Sequence, residues 1–227
     1  MSVAGHRGDQ RTARAGLGDR TPEVRASALA ALARMGRLQV HELRRALSDP
    51  APAVRRRACE VAAAIARPGE DGAKRRPGPD ELGELPVDIA GLLSDSSPPV
   101  VEAACYALGE LGEGAGWGAS AVPGAGPASV GPLALTATSH PDPLCREAAV
   151  AALGALALPA GLAAVLSGLG DKPAVRRRAV IALAPFEGAE VEAALARALE
   201  DRDWQVRQVA EDLVGNRSRK GHAPGTG

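Results

Sequence analysis

The chain has 227 residues, and its 27 Lys and Arg are balanced by 27 Asp and Glu. A net charge of zero gives no overall electrostatic case for a nucleic-acid partner. Aromatic residues make up only 2% against 45% hydrophobic residues, so the core must be built from Ala, Leu and Val, and the length suffices for one extended domain.

Residues 1–16 are polar, with Arg7, Arg11 and Arg14, and are expected to form an N-terminal cap, as a weak first helix or a disordered segment. The opening Met1-Ser2-Val3-Ala4-Gly5-His6-Arg7 lacks the apolar run of a signal peptide. From residue 17 to residue 214 one unit recurs, a polar turn followed by a helix. Its clearest copy is Ser48–Ile65. Taking the apolar residue that opens each helix as an anchor gives Val24, Val54, Val100, Leu144, Val175 and Val206, with separations of 30, 46, 44, 31 and 31 residues. Apart from the two long gaps, this is the fixed period of a stacked repeat array.

Five residues before the anchor stands Asp19, Asp49, Asp95 or Asp201; Ser139 and Gly170 take that place in copies four and five, with Asp171 following Gly170. Pro22, Pro52, Pro98 and Pro173 precede their anchors by two residues and Pro143 precedes Leu144 by one, which suits the first helical turn, where the missing N–H has no partner anyway. Thr21, Asp142 and Asp203 are candidate N-caps. Downstream, Val24, Ala28, Leu32 and Met35, or Val100, Ala104, Leu108 and Leu111, recur at the helical period. A shorter helix precedes these, marked by Leu43 and Leu47, by Ile89, Leu92 and Leu93, by Leu162, Val165, Leu166 and Leu169, and by Leu195 and Leu199. Two helices per period cannot bury their faces alone, so neighbours must stack.

Two insertions interrupt the array. Residues 67–84 are rich in Pro, Gly and charge, and residues 113–128 are Gly-rich and contain Trp117, a candidate anchor for a partner. Copies four to six then run to residue 214, and residues 215–227 read as a disordered basic tail. The uncharged run Ala148–Gly170 is long enough to cross a bilayer, yet Pro159-Ala160-Gly161 interrupts it where the repeat demands a turn, so it reads as two buried helices. Cys59 and Cys105 occupy equivalent positions on neighbouring helices, too far apart for a disulfide. With Cys145 they read as small buried hydrophobes, suited to a reducing cytoplasm.

The run Asp49-Pro50-Ala51-Pro52-Ala53-Val54-Arg55 and its counterparts resemble HEAT repeats, of the short type found in bilin lyases. The resemblance covers residues 17–214 and implies an all-α, right-handed α-solenoid of about six helical hairpins, armadillo-like in form. It also implies that Asp/Arg pairs tie one repeat to the next. Asp19 and Arg25, Asp49 and Arg55, and Asp201 and Arg207 share a spacing of six, which Asp171 and Arg177 keep. Copies three and four present Val101 and Cys145 in place of the arginine, so the ladder is expected to break beside the second insertion.

In such solenoids the second helix lines the concave face. Arg56, Arg57, Arg177 and Arg178, two and three residues past their anchors, turn away from the apolar stripe and are expected on that face, with Glu60, Tyr106 and Asp212. HEAT-repeat hydroxylases carry paired His-Glu motifs; the single His41-Glu42 here lies outside the matching positions, and His6, His140 and His222 do not complete a site. No catalytic pattern of the bilin lyases can be carried over, and no Cys-x-x-Cys, His-Glu-x-x-His or Walker loop occurs.

Charge is unevenly spread: residues 1–76 carry a net +8, residues 77–145 a net −9 without a Lys or Arg, and residues 146–227 a net +1. A basic track with aromatics to meet bases is therefore missing, which argues against nucleic acid. The expected function is non-catalytic, with no cofactor. The chain would act as a cytoplasmic scaffold, adaptor or regulatory subunit that binds another protein through Arg56, Arg57, Tyr106, Arg177, Arg178 and Trp117. The alternatives are an accessory factor or lyase-like protein for a cofactor or modifying enzyme, and nucleic-acid binding. Self-association of the basic end with the acidic middle of another copy is a further expectation, with no membrane involved.

Overall fold

The computed structural model describes residues 9–66, 85–113 and 126–221. They form twelve α-helices and no strand, in six hairpins: α1 (Gln10–Ala15) with α2 (Pro22–Arg34), α3 (Val40–Leu47) with α4 (Pro52–Ala66), α5 (Leu85–Gly91) with α6 (Pro98–Glu113), α7 (Gly126–Ser139) with α8 (Pro143–Leu156), α9 (Leu162–Ser167) with α10 (Pro173–Ala182), and α11 (Ala189–Ala198) with α12 (Trp204–Gly221). The chain divides into two compact units, Met1–Pro132 and Leu133–Gly227.

Five of the six second helices begin on the proline of the repeat, whose fixed φ suits the first turn. The turn before four of the six second helices is closed by an aspartate in the same way. The Oδ1 atoms of Asp19, Asp49, Asp95 and Asp201 accept the backbone N–H two residues on, from Thr21, Ala51, Ser97 and Asp203, at 2.8–2.9 Å. Asp142 and Asp203 cap α8 and α12 as expected, accepting from the Leu144 and Gln205 amides at 2.9 Å. Thr21 makes no such side-chain bond.

In the first unit α2 packs on α4 and α4 on α6; in the second α8 packs on α10 and α10 on α12. The first core buries Leu29, Leu32, Leu43, Val54, Ile89, Val100 and Leu108. The second buries Val150, Leu153, Val165, Val175, Leu183 and Leu195. Removing each such side chain from water contributes roughly 1.5–3 kcal/mol. Small residues let the second helices approach closely. A Cβ added at Gly154 of α8 would lie 2.7 Å from the Ala182 Cα of α10.

The uncharged run 148–170 is the end of α8, a turn through Ala157 with φ of 54°, a 3-10 turn at Pro159–Gly161, and α9. Ala157 takes the left-handed position usual for glycine at a helix end. No helix among the described residues is long and apolar enough to cross a membrane.

The boundaries differ from the sequence reading at three points. Helix α6 runs through Glu113 and α7 begins at Gly126, so both take residues from the expected insertion. Helix α7 has no charged residue to mark an amphipathic pattern and holds Pro132 in its interior, which hid it. Helix α12 continues through Gly221, past the limit set by the repeat at residue 214. The expected loop at residues 67–84 and Trp117 lie outside the described residues.

Candidate protein-binding face

Beneath the surface a ladder of ion pairs joins the second helix of one repeat to the turn of the next. Arg25 donates from Nε and Nη2 to both carboxylate oxygens of Asp49, at 2.8 and 2.7 Å. Arg55 does the same to Asp95 at 2.6 and 2.9 Å. In the second unit Arg146 holds Asp171 at 2.6 and 2.7 Å, and Arg176 holds Asp201 at 2.9 and 2.8 Å. Each guanidinium also donates from Nη1 to the main-chain carbonyl that opens its own turn: Arg25 to Asp19, Arg55 to Asp49, Arg146 to His140 and Arg176 to Asp171, at 2.7–2.9 Å. Within a repeat, then, arginine meets the backbone that opens its own turn, an aspartate's in copies one, two and five and that of His140 in copy four; the carboxylate it clasps belongs to the next repeat. Bidentate pairs of this kind fix direction as well as adding energy.

The Arg55, Arg146 and Arg176 guanidiniums hold the Asp95, Asp171 and Asp201 carboxyls below the usual range, against the opposing effect of burial. Burial is the largest influence on Asp49 and pushes it up; the bonds from Arg25 and the Ala51 amide outweigh it, so it too lies low.

The structure departs from the sequence expectations at three points. Leu144 is not the anchor of copy four: it is 55% exposed, while Cys145 is 0% exposed. Moving the anchor to Cys145 puts Pro143 two residues before it, as in the other copies, and brings Arg146 into the arginine place. Copy four therefore has its rung. Copy three has no arginine in that place, because Val101 stands there. Asp171 is not paired with Arg177 either; Arg146 takes Asp171, and the fifth copy's ladder arginine is Arg176. Its turn is one residue shorter, so the spacing of six counted to the wrong side chain.

The candidate binding residues lie on the outer side of the second helices. On α4, exposed Arg56 and half-buried Arg57 both reach Glu60, at 3.5 and 2.6 Å. On the neighbouring α6, Tyr106 is 43% exposed. In the second unit Arg177 of α10 donates to the Gln205 amide oxygen at 3.3 Å. Arg178 reaches Glu147 of α8 at 3.4 Å and leaves its Nε without a partner. Asp212 accepts from Gln208 at 3.2 Å. Ile181, six residues past its anchor like Tyr106, is 42% exposed; counting repeat positions from Tyr106 would have found it.

Sequence reasoning also missed Arg217. From α12 it donates to the carbonyls of Leu183 and Phe186 at 2.7 and 2.6 Å, which close the C-terminus of α10, and to Glu192 at 2.8 Å. Its basic, Gly-bordered surroundings read as a tail.

Among the described residues no three of His, Cys, Asp or Glu gather as a metal-binding group. His140 accepts the Asp142 amide at Nδ1 and shapes a turn. Cys59, Cys105 and Cys145 are buried, and burial pushes Cys59 up to about 12, away from nucleophilic use.

Residues 85–115, which include the hairpin α5–α6, match the HEAT repeat family model. No curated protein sequence matches the chain. Solved structures share its fold at low identity. An engineered protein superposes with a TM-score of 0.66 at 21% identity, covering 93% of this chain and 97% of its own. A designed armadillo repeat protein in complex with the peptide (KR)4 gives 0.67 at 19%, covering 91% and 98%. The YibA protein of Escherichia coli gives 0.62 at 19%, covering 93% and 71%. Residues 85–115 are a HEAT repeat, and the chain has the α-solenoid fold of the HEAT and armadillo-like repeat proteins.

Proposed function

We propose that the chain is a non-catalytic binding protein that takes an acidic segment of a partner protein on the outer face of the second helices within a unit. The observation that carries this reading is a pair of neighbouring arginines on that face in each unit. Arg56 and Arg57 both reach Glu60, while Arg178 reaches Glu147 and Arg177 the Gln205 amide. Paired guanidiniums already fixed on helices are suited to clasp the carboxylates of a partner. Tyr106 and Ile181, exposed at equivalent positions, supply apolar contact beside them. A peptide-bound armadillo repeat protein of the same fold supports peptide binding in general.

The test is affinity purification from the native host with wild type and with Arg56→Glu/Arg57→Glu. The expected result is a stoichiometric protein partner, lost in the variant while its melting temperature is retained. A partner that binds both equally would overturn the reading, as would nucleic acid in its place with a steep dependence on salt.

A further inference from the structure

The ladder contains five arginines, Arg25, Arg55, Arg146, Arg176 and Arg207, and five aspartates, Asp19, Asp49, Asp95, Asp171 and Asp201; four of each are paired. The two left over are Arg207 of the sixth hairpin and Asp19 of the first. Both are already in ladder geometry. Arg207 donates from Nη1 to the Asp201 carbonyl at 2.7 Å, as its four counterparts do to their own turns. Asp19 accepts the Thr21 amide at 2.8 Å and offers its carbonyl to Arg25, as Asp49 does to Arg55. One is a rung without its carboxylate, the other a rung without its guanidinium.

We propose that Arg207 of one copy clasps Asp19 of a second, so that copies add head to tail by one more rung of the same ladder. The partner is this chain itself because each half of the contact reproduces a half already seen four times within it. Charge and donor geometry are complementary, and neither side chain needs reordering to meet the other. Trp204 adds apolar area that an ion pair alone lacks. It takes the first-turn place where the other five second helices have proline, and it is 65% exposed. It precedes Arg207 by three residues and so lies on the same side of α12. The two ends differ, so the contact is heterologous and adds copies in a line unless the rotation closes it.

The test is sedimentation velocity of the full chain over a dilution series at low salt. Wild type should show a weight-average mass that rises with concentration and falls back to the monomer as salt screens the pair. Asp19→Arg and Arg207→Asp should each lower the association constant by about tenfold or more. An equimolar mixture of the two variants should associate again, because one then supplies arginine at both ends and the other aspartate. Circular dichroism of each variant, matching wild type, shows that the fold is kept. Wild type that stays monomeric at every concentration would overturn the proposal. So would single variants that associate as wild type does, the result expected if the basic end met the acidic middle instead, or a mixture that stays monomeric.

Discussion

Helices α6 and α8 follow one another in the repeat order, and from sequence both lack the ladder arginine. In α6 the residue after the anchor is Val101, 0% exposed beside an equally buried Val100. In α8 it is Arg146, which holds Asp171 and the His140 carbonyl. The difference lies in where the first turn starts. Each helix begins on its repeat proline, at Pro98 and Pro143, and the buried anchor stands two residues later. A leucine one residue early in α8 is merely exposed. The proline, not the first large apolar residue, sets the register, because a helix has one N1 position and several places that tolerate an apolar side chain.

The strongest way to break that comparison is to put charge where α6 has none. Val101→Asp places a carboxylate at a fully buried position, and among the described residues no ladder arginine is directed at it. Stability to urea should fall by about 3–5 kcal/mol. A loss below about 1 kcal/mol would show that the position is wet and that the apolar break is not a packed feature.

Acid acts on all four rungs together. Asp49, Asp95, Asp171 and Asp201 are held low in the folded chain. A carboxyl with a depressed folded value contributes its stability above the unfolded value of about 4 and loses it as pH falls through the folded one. Melting temperature should therefore be flat from neutral pH to about pH 5 and drop below about pH 4. Arg55→Ala/Arg146→Ala, which frees one rung in each unit, should shrink that drop. An equal drop in the variant would place the acid sensitivity elsewhere.

A single rung is worth less. Arg146→Ala should cost about 1–2 kcal/mol, since Asp171 keeps the Lys172 amide at 2.6 Å and remains partly hydrated. No loss would mean that the fourth copy's rung contributes nothing, as in many exposed ion pairs.

How much of this was legible follows from what repeats. The hairpin recurs six times, and the proline starts and the ladder columns in five copies each, so errors at one copy are outvoted at the level of the fold. The partner of each arginine was not legible, because spacing within one repeat is fixed while the clasped carboxylate lies 24, 40 or 25 residues away, across an insertion in the case of Asp95. Helix α7 was hidden for the opposite reason: Gly126–Ser139 is uncharged, so no polar face marks its period. Arg56 and Arg57 lie on α4 and Arg177 and Arg178 on α10, helices that the repeat pattern marks. Their ion pairs, with Glu60 for Arg56 and Arg57 and with Glu147 for Arg178, needed coordinates.

The smallest expected effect separates the two registers of α8 most cleanly. If Leu144 were the anchor, Leu144→Ala would leave a cavity and cost about 2–5 kcal/mol. With the side chain 55% exposed, the same change removes surface apolar area and should stay within about 0.5 kcal/mol by urea denaturation. Alanine is also a good helix former at that point in the first turn, so even a slight gain fits. A loss of about 2 kcal/mol or more would restore Leu144 as the buried anchor and move Arg146 out of the ladder.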